Sequence, residues 1–297
     1  MDYLKQLSRI YGSAKKLTFN DNSKIVLLSD CHRGDGGRAD TFFRNRNIYL
    51  AALQHYFAEK YTYIELGDGD ELWENKNLGT IIDAHPEVFE MLSRFRSEGR
   101  FFALVGNHDI ERKCHRKSHC PHASPNSLVS LFENLPVHDG LRLVHAQTGN
   151  NIFLVHGHQV DFFNSTLWWL ARFMVRHLWR PLESFGVNDP TSAAKNYHKK
   201  AATEKKLAQW ATQYRRMLIA GHTHRPVFPA ADRPPYFNDG SCIHPGCITA
   251  IEIKDGAIEL VKWCVKVRPD GILHVGRDSL AGPAPLTDYF SATLAGI

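Results

Sequence analysis

The chain has no run of roughly 18 apolar residues, the length a helix needs to cross a bilayer, so no spanning segment is expected among its 297 residues. Its first residues, Met1-Asp2-Tyr3-Leu4-Lys5-Gln6, lack the charged-then-apolar order of a secretory signal, and a cytoplasmic location is expected by default. Six cysteines, at 31, 114, 120, 242, 247 and 264, are scattered through the chain rather than framing a small one. Reduced thiols are expected, not a disulfide scaffold. No internal repeat or low-complexity tract interrupts the chain.

What remains is ordinary in bulk and unusual in detail. Hydrophobic residues make up 43% and aromatics 11%, as in a soluble globular protein with one large α/β core or two small ones. The net charge of +5 is concentrated, because Val160–Arg216 carries ten Lys/Arg against four Asp/Glu and the remainder is near neutral. Seventeen histidines are many, and several of them cluster in short blocks.

The hydrophobic pattern predicts a helix over about 2–11, then a buried strand Lys24–Leu28 running to Asp30. A helix over about 44–59 leads to the strand Tyr61–Leu66 and Asp68; one over about 87–97 leads to Arg100–Val105 and Asn107. Such spacing reads as βαβ units. Leu141–His145 and Ile152–Val155 read as strands joined by a turn at Thr148–Asn151. Phe162 to about Arg216 is helical in pattern, broken near Pro181 and Asp189-Pro190, and interrupts a β-rich second half as an insertion spanning 160–216. Strands are expected again at Met217–Ala220, Pro226–Phe228, Tyr236–Phe237, Ile248–Ile253 and Ile258–Trp263, with Asp255-Gly256 as a tight turn. The domain is placed at 1–268; the Gly/Pro-rich stretch 269–297 shows no periodicity and is left as a tail without a role.

Seven potential metal ligands close these strands in five blocks: Asp30-Cys31-His32, Gly67-Asp68, Gly106-Asn107-His108-Asp109, His156-Gly157-His158 and Gly221-His222-Thr223-His224. A donor just beyond an apolar run stands at the mouth of a sheet, where open α/β sheets bind ligands. Mixed oxygen and nitrogen donors in five such blocks describe a two-metal hydrolytic centre.

The blocks resemble the calcineurin-like metallophosphoesterase superfamily, whose pattern is D-x-H, G-D, G-N-H-D/E, H and G-H-x-H in this order, over roughly residues 24–265. The resemblance implies an α/β fold, a four-layer αββα sandwich, here with a helical cap insertion. It also implies one metal on Asp30, His32, Asp68 and His224, and a second on Asp68, Asn107, His156 and His222, with Asp68 bridging. A shared carboxylate holds two cations about 3.5–4 Å apart, the separation suited to in-line displacement at phosphorus. Water bridging them would be acidified from a pKa of about 16 toward about 7, giving a hydroxide that attacks phosphorus. Imidazoles with hard oxygens suit Mn²⁺, Fe or Zn²⁺, and the amide of Asn107 favours Mn²⁺. His108 is cast as general acid or phosphate clamp. Asp109 is expected to hold it in the imidazolium form, the alternative being a pair that merely stabilises the turn.

Gly67-Asp68-Gly69-Asp70-Glu71-Leu72-Trp73 lacks the arginine that protein Ser/Thr phosphatases of the superfamily carry there. It is similar instead to G-D-x-x-E-x-W of UDP-2,3-diacylglucosamine hydrolases, which cleave a pyrophosphate bond and share the H-G position and the trailing Arg225-Pro226. His108 is a departure, since those hydrolases usually carry arginine at that position. The resemblance implies a phosphodiester or pyrophosphate substrate, a small anionic molecule such as an amphiphilic UDP-sugar-lipid or a nucleotide. A phosphomonoester and a non-catalytic metal-binding scaffold are the weaker alternatives.

Within the insertion, Phe162, Phe163, Leu167, Trp169, Leu170, Phe173, Met174 and Leu178 follow helical spacing, with Arg172, Arg176 and Arg180 on one face. This suits a cap that touches a membrane surface, or an ordinary helix packing its apolar side on the core. Lys195, Lys199, Lys200, Lys205 and Lys206 form a basic helix that could meet phosphate, nucleic acid or water, and a nuclease is the alternative function. Cys114, His115, His119, Cys120 and His122 are a candidate for a further metal, though their spacing fits no common zinc module. Arg33 and Arg225, beside ligand histidines, are expected to bind substrate phosphate. His158 is expected to orient His156 or to meet substrate.

Overall fold

Apolar runs of four or five residues form strands buried on both faces, as the pattern predicts. The computed structural model describes residues 2–115, 128–161 and 197–295. In chain order these contain α1 (Tyr3–Ser13), β1 (Lys15–Phe19), β2 (Ile25–Leu28), α2 (Arg46–Ala58), β3 (Thr62–Glu65), α3 (Leu78–Ala84), α4 (Pro86–Ser97), β4 (Phe101–Leu104), α5 (Arg112–His115), α6 (Leu128–Glu133), β5 (Val137–His138), β6 (Gly140–His145) and β7 (Asn151–Val155). There follow α7 (Tyr197–Gln213), β8 (Met217–Ala220), β9 (Tyr236–Asn238), β10 (Cys247–Lys254), β11 (Ala257–Val267), β12 (Leu273–Pro285) and α8 (Leu286–Ala295).

The strands form two sheets, one of seven in the order β12-β11-β10-β2-β3-β4-β5 and one of five in the order β1-β6-β7-β8-β9. Side chains alternate across each strand, and the alternation divides the core. In β2, Ile25 and Leu27 face the second sheet, where they meet Ile64, Leu143, Leu154 and Ile219. Val26 and Leu28 face the helices, with Tyr49, Leu53, Tyr56 and Phe95 of α2 and α4. In β7, Ile152 and Leu154 join the core between the sheets, while Phe153 and Val155 pack with Leu7 of α1 and Leu207 and Trp210 of α7. The order helices, sheet, sheet, helices makes four layers, and each fully buried side chain of Leu or Phe size contributes about 1.5–3 kcal/mol.

β2, β3 and β4 run parallel, as do β7 and β8, so the ligand blocks that follow them all leave strand carboxyl ends. The expected strands and long helices appear within one or two residues of their predicted bounds, except that the strand expected at Ile258–Trp263 runs on to Val267. Of Pro226–Phe228, however, only Val227 pairs, as a single bridge to Asn238. β1 escapes the hydrophobic pattern; its Lys15-Lys16 start is polar because it lies on a sheet edge, paired among the described residues to β6 alone. The stretch after Arg268 is not a tail. β12 pairs with β11 from Ala257↔Pro285 to Val267↔Leu273, and α8 buries Leu286, Tyr289 and Phe290 in the core between the sheets. Its Gly and Pro residues hid it, and they are tolerated because β12 is an edge strand.

No described helix is long and apolar enough to cross a membrane. The apolar and arginine positions of the insertion from Phe162 to Arg180, together with Lys195, lie outside the described residues. α7 is described, and it packs Leu207, Trp210 and Ala211 against the five-stranded sheet while Lys199 and Lys205 stay exposed.

Candidate metal centre

The ligand blocks turn sharply as they leave their strands. Asp30, His32, Asp68, His222 and His224 all have left-handed backbones, with φ of 50°, 48°, 50°, 68° and 54°. Each such residue costs about 1–3 kcal/mol and persists only where its surroundings enforce it. The enforcement is visible. Asp30 N donates to Gly67 O at 3.1 Å, His32 N to Asp68 O at 2.9 Å, and Arg33 N to Gly69 O at 3.0 Å, lacing the loop after β2 to the loop after β3. Gly221 N donates to His156 O at 3.0 Å and joins the other two blocks. At Gly106 and Gly221 the approach is too close for any side chain, since a Cβ would collide with Asp68 Oδ1 and with Ser29 Oγ respectively.

Each ligand carboxylate uses one oxygen for the backbone and turns the other toward imidazoles. Asp68 Oδ1 accepts from His108 N at 2.8 Å, and Asp30 Oδ2 accepts from His222 N at 2.8 Å. Asp30 Oδ1 then lies 3.0 Å from His224 Nε2, which is 3.3 Å from His32 Nε2. Asp68 Oδ2 lies 3.2 Å from His156 Nε2 and 3.8 Å from His32 Nε2, between two donor groups. The groups Asp30/His32/His224 and Asp68/His156/His222 are each compact enough to hold a cation.

The residues fit two divalent ions. Asp30 Oδ1, Asn107 Oδ1, His156 Nε2 and His222 Nε2 are buried without hydrogen-bond partners among the described residues. Left so, each would cost about 1–3 kcal/mol. His156 Nδ1 donates to Leu66 O at 2.9 Å, which fixes Nε2 as the lone-pair nitrogen. Burial would lower the His156 pKa, yet the charges of Asp68 and Asp30 raise it to about 9. Burial and the charge of His156 push His222 down to about 3. Burial would raise Asp30, but His224 and His156 hold it well below the usual carboxylate range. This is a cluster of negative oxygens that collects positive charge, as protons or as cations.

Six of the seven predicted ligands fall in these two groups. Asn107 precedes His108, whose N–H donates to Asp68 Oδ1, and its own amide oxygen is buried without a hydrogen-bond partner among the described residues. The expected roles around them change. Asp109 does not face His108; its carboxylate accepts from Gly106 N at 2.6 Å and Gly69 N at 3.0 Å, tying the second and third blocks together. Burial and the nearby Asp68 charge raise Asp109 to about 7. The carboxylate against His108 is Glu71, whose Oε1 lies 2.8 Å from His108 Nδ1. The indole of Trp73 stacks on the same ring at 4.2 Å and 26°. Both stood in the G-D-x-x-E-x-W stretch, but nothing in their spacing reveals which side chain they touch.

Arg33 is not a substrate contact. It is 1% exposed, with NH1 and NH2 on Glu65 at 2.7 and 3.0 Å and Nε on Asp70 at 2.7 Å. Arg225 keeps a side chain 47% exposed but is tied to Glu204 on α7, which also accepts from Thr223 Oγ1. His158 is buried behind His156 and His222, with ring centroids 5.5 and 6.4 Å away, and burial keeps it neutral. It meets both ligands through ring contacts alone, and its Nδ1 is buried without a hydrogen-bond partner among the described residues. Of the second candidate cluster, His119, Cys120 and His122 lie outside the described residues, as do the side chains of Cys114 and His115.

No curated protein matches the chain. Among solved structures it is similar to Vps29 of Chaetomium thermophilum, at 11% identity and a TM-score of 0.39 over 88% of this chain and 97% of that one. The same protein in complex with a cyclic peptide, RT-D3, matches at 10% and 0.35, over 87% and 95%. The model of the calcineurin-like phosphoesterase family matches residues 23–226, a span that starts just before β2 and closes on Pro226, so it takes in all five ligand blocks. By that match, this chain belongs to the calcineurin-like phosphoesterase family.

Proposed function

We propose that the chain is a hydrolase of phosphodiester or pyrophosphate bonds that works with two divalent cations, Mn²⁺ above all. The observation that carries the reading is Asp68, whose Oδ2 lies 3.2 Å from His156 Nε2 and 3.8 Å from His32 Nε2 and so stands between the two donor groups. Asp30, His32 and His224 would hold one ion with Asp68, and Asn107, His156 and His222 the other. When bound, such ions supply positive charge to phosphate oxygens and make water available as hydroxide near neutral pH.

The chain's own residues supply the remainder. Asp68 and Asp30, each anchored through one oxygen to a backbone N–H, keep the donors preorganised, so little rearrangement is needed as charge develops. His108 is 22% exposed on its side chain, the most open of the site imidazoles. With Nδ1 on Glu71, its Nε2 is the nitrogen free to protonate a leaving oxygen. Acidic residues surround the position after Asp68 where a phosphoprotein phosphatase would place arginine, which favours a diester or anhydride over a protein phosphomonoester. The G-D-x-x-E-x-W stretch and the basic, aromatic insertion support a nucleotide or UDP-sugar-lipid substrate within that class.

Purified protein with Mn²⁺ is expected to hydrolyse bis-p-nitrophenyl phosphate, and Asp68→Asn or His156→Ala to abolish turnover. Full activity in either variant refutes the reading. A panel of UDP-diacylglucosamine, UDP-sugars, dinucleoside polyphosphates, cyclic nucleotides and phosphomonoesters identifies the substrate, and turnover confined to the last group removes the diester assignment.

A further inference from the structure

Glu71 divides its carboxylate between two histidines with different tasks. Oε2 lies 2.8 Å from Nδ1 of His32, a ligand in the first donor group, and Oε1 lies 2.8 Å from Nδ1 of His108. The carboxylate is buried, with its side chain 9% exposed. The two rings meet edge to face with centroids 4.7 Å apart, and Trp73 stacks on the His108 ring. Both carboxylate oxygens thus stand at hydrogen-bond distance from a ring nitrogen, and a carboxylate meets ring N–H groups as an acceptor.

We infer that Glu71 is a positioning residue that sets the ring tautomers of His32 and His108 together, placing metal loading and proton donation under one side chain. The inference rests on the two-metal reading above. An ionised carboxylate has no proton to give, so both Nδ1 atoms must carry one. For His32 this leaves Nε2 as the lone-pair nitrogen, which is the atom that lies among Asp30, Asp68 and His224. For His108 it leaves Nε2 as the nitrogen outside the Glu71 contact, with Trp73 stacked on the ring. The same three side chains could instead hold an ion of their own. The 2.8 Å contacts are hydrogen-bond lengths, shorter than the roughly 3.3 Å that separates two ligand atoms each about 2.0–2.1 Å from one tetrahedral ion.

Glu71→Gln tests this because the amide has the same shape but one acceptor and one donor. Whichever ring meets the amide N–H must present a bare Nδ1, so either His32 loses its ligand tautomer or His108 loses its hold. Calorimetric titration with Mn²⁺ is expected to show two equivalents in the wild type, and in Glu71→Gln either a roughly 10–100-fold weakening of one of them, where the amide N–H meets His32, or unchanged affinity with a bare Nδ1 on His108, where it meets that ring. Long-range proton–nitrogen spectra of the Zn²⁺-loaded protein should show protonated Nδ1 on both histidines in the wild type and on one in the variant. If Glu71→Gln fails to fold, Glu71→Asp, which is too short to span both rings, is measured in its place with the same expectation. Unchanged affinity and spectra refute the positioning role, as does a third equivalent in the wild type that the variant loses. Binding needs no turnover, so fewer than two equivalents in the wild type fails the two-metal reading itself, whatever Glu71 does.

Discussion

Arg33→Met is expected to destabilise the fold without changing how substrate binds. Arg33 carries a bidentate pair to Glu65 and a third bond to Asp70, with both sides of the Arg33–Glu65 pair 1% exposed on their side chains. Its guanidinium also lies over the Phe89 ring at 5.3 Å. Removing it leaves Asp70 with Arg112 at 3.0 Å but leaves Glu65 with only the Tyr63 hydroxyl among its described partners. An orphaned buried charge costs about 3–5 kcal/mol, and so deep a pair needs no discount for solvent screening. At about 2–4 °C per kcal/mol for a domain of this size, the midpoint should fall by roughly 6–20 °C. Urea unfolding followed by tryptophan fluorescence and circular dichroism measures the loss. Arg33→Met with Glu65→Gln should recover part of it, since the stranded charge goes too. A stable Arg33→Met protein with a raised KM would refute the reasoning and restore Arg33 as a substrate contact.

Gly221→Ala places a methyl group against Ser29 Oγ and 2.6 Å from Asp30 Oδ2, so at least tenfold weaker Mn²⁺ binding is expected by calorimetry, and unaltered binding would show that the block can give way. Asp40 is buried against His85 Nε2 at 2.8 Å and accepts from Gly36 N and Phe43 N. Burial alone would raise it, but the His85 hydrogen bond and the backbone donors leave it below the ordinary carboxylate value. A depressed carboxylate stabilises above its unfolded pKa of about 3.9, and the contribution is lost as pH falls through the lower folded value. Wild type should therefore exceed Asp40→Asn in stability at pH 7 and lose that advantage below about pH 4; parallel stability curves would show that Asp40 contributes nothing through its charge.

The ligands were legible because each follows a continuous apolar run, and a strand buried on both faces cannot hide its end. Asp30, Asp68, Asn107, His156 and His222 all follow that rule. Arg33 was misplaced because its neighbour His32 is a ligand, whereas its own partners Glu65 and Asp70 stand 32 and 37 residues away. Glu71 failed to show for the converse reason: it sits in a loop just after Asp68, and only the tertiary approach of the first and third blocks brings its oxygens to His32 and His108. β12 was hidden by its composition, since an edge strand with one solvated face needs no apolar alternation and tolerates Pro283 and Pro285.

The strand order has a consequence for how the molecule is made. β2 lies between β3 and β10, and Leu27 finds its partner Ile251 only across most of the chain. Closing so long a loop is entropically affordable but slow, as in other topologies rich in distant contacts. At a synthesis rate of about 5–20 residues per second, β2 waits roughly 10–40 s on the ribosome for β10 to emerge. Through that interval its four apolar residues present an unpaired edge, the kind that recruits strands from other chains. His222 and His224 also emerge late, so the full donor set exists only when the sheet is nearly closed. A bound cation would thus report that folding is complete; it could not start it.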